Sequence, residues 1–558
     1  MSFALSAGVT GLQAHQKMLD IAGNNLANVN TTAFKSSRIT FSELLCETIK
    51  KASQPTATSG GTNPQQMGSG VGIAGIAPNM AQGNIVNTGN PLDMAIEGEG
   101  YFVVNNGTQN IYTRSGVFAV DAASNLVDPA TGYLVQRIGS EGLSDGFQTA
   151  DNNNIHVPYD VAMAANGTTG INIVGNLSAD SQLPAAQTNV LKSNVPYTTN
   201  SGTTAAEATL INDLDQTTAG TYVGATITVT GYEHDGTLLN DAAPLAVDAT
   251  TTMQDLVDHI NTVLGATNAV ATLSQGRITV TDVDSGYSKS DIKLAFANTG
   301  TADWTEPSYF EIPTVGGEEV KSINITTFDS QGGRHVLTGA FVRTDVANTW
   351  DMVLTSITGN VSDITFDNRR IEDISFDAGD GSYAGLSGTD NAELAVTFAH
   401  DTANPQTITI DMGTAGQLNG LTQFAGNSTA VAREQDGFEA GSLANISVDK
   451  EGILIGVFSN GIKKNIAALQ IALFQNTSAL ESMGNGYFNS SANSGGAVAT
   501  QAMTGGAGSV HGGALEKSNA DVATEFVNMI QAQNGFQANA RTIRVANDIL
   551  QELTNLIR

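Results

Sequence analysis

The side chains best able to do chemistry are seven histidines, one cysteine and 54 carboxylates, and their spacing assembles none of the usual reactive constellations. His15, His156, His234, His259, His335, His400 and His511 fall in no HExxH motif. None stands four residues from another His or from Cys, the spacing of a helical zinc pair. A single cysteine, Cys46, excludes an internal disulfide and any zinc site built on cysteine pairs. It lies in a short apolar stretch from Phe41, so it is expected to be a small buried residue and not a nucleophile. The run Gly70-Val71-Gly72-Ile73-Ala74-Gly75 spells GxGxxG. The Gly/Ser/Gln-rich segment before it is no strand and Pro78 stops a following helix, so it reads as flexible backbone. There is no GxxxxGK[ST] and no GxSxG. Carboxylate neighbours such as Glu97 with Glu99 and Glu318 with Glu319 arise by chance in so acidic a chain and read as solvated surface. The expectation is a protein that is not an enzyme, with no catalytic residue, metal or cofactor.

With no chemistry to position, the elements themselves carry the information. The 558 residues suggest three or four domains. The formal charge of -30 repels phosphate backbones and anionic lipid, so neither nucleic acid nor a membrane surface is an expected partner. No stretch approaches 18 apolar residues and the N-terminus lacks a basic n-region, so neither membrane insertion nor a cleaved signal peptide is expected. Residues 1–50 hold four basic and three acidic side chains, and residues 515–558 hold four and five. Two nearly neutral ends therefore flank a middle that carries the whole excess of acid, which points to ends that pack with one another and with copies of the chain.

Both ends share a seven-residue apolar repeat. Leu5, Leu12, Leu19 and Leu26 mark it at the start; Val522, Met529, Phe536, Ile543, Leu550 and Ile557 mark it at the end, joined by Phe526. Such a repeat keeps one seam facing a partner helix, as a coiled coil requires. Ser518-Asn519-Ala520-Asp521 fits a capping box and places the start of the last helix at Ser518. Between the ends, short alternating or β-branched runs at 101–104, 226–229, 277–280, 322–328, 336–342, 407–410 and 452–458 predict strands of barrels or sandwiches. One internal helix is predicted over Met253 to Leu264, opened by Thr252-Met253-Gln254-Asp255 and closed by Gly265. Residues 51–70 have almost nothing to bury and read as a linker or irregular arm.

Several motifs then carry a specific resemblance. Residues 19–38, LDIAGNNLANVNTTAFKSSR, resemble the N-terminal signature of bacterial flagellar axial proteins of the rod and hook, usually LDVIANNIANVNTxGFKxSR. Its family residues here are Asn24, Asn25, Asn28, Asn30 and Phe34; Gly23 stands where Ala is usual and Ala33 where Gly is usual. Residues 89–102 (GNPLDMAIEGEGYF) and 112–118 (YTRSGVF) continue the match. So do 452–461 (GILIGVFSNG, with Ser459, Asn460 and Gly461), 513–521 (GALEKSNAD) and 525–539 (EFVNMIQAQNGFQAN). FDSQGGRHVLT at 328–338 resembles a segment typical of hook proteins, and together with the length it favours hook over the shorter rod proteins.

The resemblance implies a structural subunit that assembles helically with itself into a curved flexible tube, a universal joint passing motor torque to the filament. It implies as partners the distal rod protein, the hook cap protein, the hook–filament junction protein and the flagellar type III export apparatus. It places the protein outside the cell, in the flagellar basal body and hook, exported without a cleaved signal. It also implies a nested multidomain fold. Residues 1–33 and 518–558 form a paired-helix coiled-coil domain, and 34–74 a linker or irregular arm. Residues 75–165 and 428–517 form a second, β-rich domain, 166–185 and 311–427 an outer β domain, and 186–310 an inserted outermost α+β domain. The competing readings are a distal rod-like or other axial protein, and an axial scaffold carrying an adhesin module, for which Trp304 and Trp350 are few stacking aromatics.

Overall fold

The computed structural model describes residues 3–180, 185–388 and 391–556. Contacts divide it into unit 1, Met1–Met163 with Gly441–Arg558, and unit 2, Ala164–Ala440. The chain is mostly β, with one helix at each end, α1 (Phe3–Ala27) and α3 (Val522–Leu556), and an internal helix α2 (Met253–Leu264). Among the described residues no helix is long and apolar enough to cross a membrane.

In unit 1 the strand Tyr101–Asn105 lies inside a nine-stranded sheet, paired to Asn110–Thr113, Leu134–Val135 and Ile471–Leu473. Four of its five residues are buried, so both faces are covered, which its continuous apolar run allows. The chain's two halves are stitched by short antiparallel pairs: Met94–Glu97 with Ser509–Gly512, and Ile85–Asn87 with Ala514–Glu516. These pairs set the last strand directly before α3. That helix begins at Val522, not at Ser518. Asp521 is its cap, its Oδ2 accepting the Thr524 N–H at 3.0 Å, while Ser518 Oγ only closes a local turn with the Ala520 N–H.

The stretch read as an irregular arm is a two-stranded antiparallel ribbon. Ser37–Glu43 pairs with Val71–Pro78, and Cys46–Lys50 with Gln65–Gly68. The GxGxxG run is thus a strand, ordered by pairing that no local signal announces. Because the outer half of the ribbon, Cys46–Lys50 with Gln65–Gly68, is solvated on both sides, Cys46 is exposed and not buried. Its Sγ donates to Glu43 Oε1 at 3.2 Å, a bond that raises the thiol above its ordinary value.

Unit 2 holds two cores on either side of one sheet. That sheet runs in sequence order through Val320–Phe328, Arg334–Arg343, Thr349–Ile357, Arg370–Phe376 and Tyr383–Leu386. Alternation along its strands sends Phe341, Trp350, Met352 and Leu354 into a core with Ile171, Ile173, Ile408 and Ile410. It sends Ala340, Val342 and Val353 to the opposite face, into a core with α2, Trp304 and Phe310. The segment 186–310 therefore completes its core on a sheet that lies outside it in sequence. Helix α2 has the predicted bounds and the predicted cap. Thr252 Oγ1 accepts the Asp255 N–H at 3.2 Å, Asp255 Oδ2 accepts the Thr252 N–H at 2.8 Å, and Gly265 takes φ 74°. Every predicted strand forms within a few residues of its predicted bounds. Glu319, by contrast, is buried, its Oε1 accepting the Ser428 hydroxyl at 2.9 Å, so it is not the solvated side chain that acid-rich composition suggested. Trp304 and Trp350 are both buried and offer no ring to a sugar.

Candidate assembly interface

Helices α1 and α3 pack antiparallel along a seam of small residues. Gly8, Gly11, Ala14 and Ala22 are the buried apolar positions of α1, and Ala532 and Ala546 those of α3. A Cβ on Gly11 would lie 2.7 Å from Asn539 Oδ1, and one on Gly8 would lie 3.0 Å from Ile543 Cγ1, so the backbones approach too closely for larger side chains. On α3 this seam is itself a seven-residue repeat, Glu525, Ala532, Asn539 and Ala546, three positions on from the large apolar one. A search for large side chains passes over it.

The large repeat residues stand elsewhere. Leu5, Leu12 and Leu26 are half-buried and Leu19 is exposed; Val522, Phe526, Phe536 and Leu550 are exposed, Met529 and Ile543 half-buried. Ile557 lies outside the described residues. Val527, Ile530, Val545, Ile549 and Leu553 add to the exposed apolar surface of α3. The ribbon contributes Phe41, Leu44, Leu45, Ile49, Met67, Ile73 and Ile76, all exposed. Contiguous exposed apolar surface on this scale is uncommon on a monomeric soluble protein.

At the foot of the helix pair the signature residues join the two chain ends. Asn25 is buried. Its Nδ2 donates to Ser37 O at 2.9 Å and to Glu525 Oε1 at 3.0 Å, and its Oδ1 accepts the Ser37 N–H at 2.9 Å. Asn28 Nδ2 donates to Asn24 O at 3.0 Å and closes the last turn of α1, while Asn30 is exposed and Phe34 half-buried. Asn519 Oδ1 accepts the Ser36 N–H at 2.8 Å, and its Nδ2 donates to Asn79 O and Ala81 O. Ala33 takes φ 56°, the left-handed conformation that glycine adopts without penalty, and its N–H donates to Glu516 O at 2.8 Å.

Beneath this lies a buried charge cluster that sequence reasoning did not single out, although its members sit inside the quoted motifs. Lys35 Nζ donates to Glu516 Oε1 at 2.7 Å, with the two side chains 2% and 0% exposed. The Gly83 N–H donates to the same oxygen at 2.7 Å, and Arg114 Nη1 stands 3.7 Å from Glu516 Oε2. The Arg114 guanidinium also lies over the Tyr101 ring, 5.1 Å from its centre. Burial pulls the Lys35 ammonium below its ordinary range against the opposing pull of Glu516. Burial likewise lifts the Tyr101 phenol to about 12. Charges taken this far from water persist only as a set. The cluster therefore fixes residues 35, 83, 114 and 516 in one arrangement.

The second signature is turn chemistry. Ser459, Asn460 and Gly461 join the strands Ile453–Phe458 and Lys463–Leu469. Gly461 takes φ 82°, and Asn460 Oδ1 accepts the Ile462 N–H at 3.1 Å.

Four family models match the chain in order. They are "Flagella basal body rod protein" at residues 5–35, "Flagellar hook protein FlgE/F/G D1 domain" at 95–179, "Flagellar basal body protein FlaE D2 domain" at 305–438 and "Flagellar basal body rod FlgEFG protein C-terminal" at 511–556. The flagellar hook protein FlgE of Treponema pallidum is 29% identical over 565 residues, and that of Borreliella burgdorferi 28% over 560, each alignment covering all of both chains. The FlgE of Escherichia coli K12 is 26% identical over 555 residues, 99% of this chain and all of its own. The crystal structure of Helicobacter pylori FlgE2 matches 76% of this chain and 99% of its own at 15% identity, with a TM-score of 0.39. With paired terminal helices, a β-rich body and end-to-end similarity of this kind, the chain belongs to the flagellar hook protein family.

Proposed function

We propose that this chain is the structural subunit of the hook, polymerising helically with copies of itself into the curved, flexible tube that carries torque from rod to filament. The observation that supports it is the row of large apolar side chains left in water on α3 and the ribbon after α1 and α3 have packed through small residues. A homopolymer covers such a face by repeating one heterologous contact. The assembly seam is then Leu5, Leu12, Leu19 and Leu26 with Val522, Phe526, Met529, Phe536, Ile543, Leu550 and Ile557, in coiled-coil-like contact between neighbouring copies. The nested division belongs to the same proposal, with 75–165 and 428–517 as the second domain, 166–185 and 311–427 as the outer one and 186–310 as the insert. So do the partners: distal rod protein, hook cap, hook–filament junction protein and type III export apparatus, with export that uses no cleaved signal.

The test compares Phe536→Asp and Leu550→Asp with Leu418→Asp, a still more exposed leucine of unit 2. The first two are expected to keep the circular dichroism and melting temperature of the monomer while abolishing tube formation in sedimentation and electron microscopy. The third is expected to polymerise normally. Equal effects in all three would overturn the seam.

A further inference from the structure

The motif 328–335, FDSQGGRH, closes the hairpin between Val320–Phe328 and Arg334–Arg343 at the root of unit 2, where the chain enters at Ala164 and leaves at Ala440. Thr168, on the entering segment, is fully buried. Its N–H donates to Phe328 O at 2.8 Å, and its hydroxyl accepts from Phe328 N at 2.9 Å and donates to Gln435 Oε1 at 2.9 Å. Asn166 and Phe438 exchange backbone hydrogen bonds of 2.9 Å, so entering and leaving segments pair. Gly332, at φ 85°, packs where a Cβ would lie 2.8 Å from Ala165 Cβ and 3.3 Å from Ala440 N. The turn thus rests on both segments.

Asp329 holds that turn. Its Oδ1 accepts the N–H groups of Gln331 at 2.9 Å and Gly333 at 2.7 Å. Its Oδ2 lies 3.0 Å from His335 Nε2 and 3.7 Å from His400 Nδ1. The other nitrogen of His335, Nδ1, lies 2.7 Å from Thr358 O, and His400 Nε2 lies 3.3 Å from Ser330 Oγ. Phe398 stacks on both imidazoles, with ring centres at 4.3 and 5.8 Å. His335 therefore faces a carbonyl through one nitrogen and a carboxylate through the other. A neutral imidazole has a single N–H, so both contacts are hydrogen bonds only when the ring carries two protons.

We propose that Asp329, His335 and His400 form a proton-operated clasp that ties the FDSQGGRH turn to the root of unit 2 and loosens it when the imidazoles lose their protons. Of the other charged groups nearby, Asp401 lines the same cavity as His400. Arg334 is turned to Thr326 Oγ1 at 3.4 Å, and Asp436 accepts the N–H groups of Thr169 and Gly170. Burial pushes the Asp329 carboxyl up, but His335 and the Gly333 and Gln331 N–H groups outweigh it and hold the group below the usual carboxylate range. The clasp needs Asp329 ionised, which its low-lying carboxyl favours, and the rings doubly protonated, so it weakens as pH rises. Because it concerns unit 2 alone, it stands or falls apart from the hook reading.

Hydrogen–deuterium exchange of the full chain at about pH 6 and pH 8.5, corrected for intrinsic exchange, reads it directly. Peptides covering 328–336 are expected to lose protection by about threefold or more at the higher pH, while the α2 peptide at 253–264 holds. Asp329→Asn and His335→Gln are expected to erase that difference. Protection at 328–336 that is independent of pH in the unmodified protein overturns the clasp, whether or not the variants fold. A difference that persists unchanged in folded Asp329→Asn or His335→Gln overturns it equally.

Discussion

Along α3, Phe526, Val527, Ile530, Val545, Ile549 and Leu553 are 48 to 56% exposed, whereas in unit 2 Trp304, Phe310, Phe341 and Trp350 are at 1% or less. Charge is divided the other way. Unit 2 carries 10 basic against 34 acidic residues, net -24, and unit 1 carries 14 against 20, net -6. Unit 2 closes its largest aromatic side chains inside its two cores and carries most of the excess acid, while isolated residues such as Leu238, Val346 and Leu418 stay exposed. Unit 1 packs its own helix pair through small residues and leaves several large ones exposed on α3 and the ribbon. Burial inside a fold and burial between copies draw on the same interaction, so the contiguous exposed row on α3 and the ribbon is the surface on which the proposed assembly rests.

Breaking the buried cluster of unit 1 gives the largest expected effect. Lys35→Met strands the Glu516 carboxylate and should cost about 3–5 kcal/mol, while Lys35→Met with Glu516→Met should recover most of it. Chemical denaturation of the three proteins decides whether the pair, or only its packing, matters. In unit 2, Trp350→Ala should cost a similar ~3–5 kcal/mol by cavity formation. Because that loss lies in a closed core, tubes assembled from the folded fraction should look normal by electron microscopy. If the tubes are absent although the protein is folded, the contrast between the units fails. Gly11→Leu, which drives a side chain into Asn539, should cost about 1–3 kcal/mol and splay α1 from α3, detectable as faster amide exchange in both helices. The smallest effect has the opposite sign. Ala33→Gly removes a left-handed alanine and should raise stability by about 1 kcal/mol in the same denaturation experiment.

Local sequence carries no signal where order comes from a distant partner. Residues 37–50 and 65–78 form a ribbon through pairing across a polar loop, and nothing in Lys51 to Gly70 signals it. Cys46 followed the ribbon out of the core. Lys35, Arg114 and Glu516 lie in three separate motifs, and no spacing along the chain reveals that their charges meet. The start of α3 moved from Ser518 to Val522 because Ser518 and Asn519 are used to bind the N-terminal signature and the turn before the helix.

By itself the sequence determined what depends on near neighbours. The cap and stripe of α2, the alternating strands, the two terminal helices and the motifs of the hook family are local patterns of period 3.6, 2 or 7. Tertiary structure decided which face of each helix was covered. Backbone approach at Gly8 and Gly11 drew the small seam fully inward and left the large repeat half-buried or exposed, a choice set by the close fit of two helices some 500 residues apart in sequence. It also decided which charges were buried, because desolvation depends on what folds over a side chain and not on what precedes it.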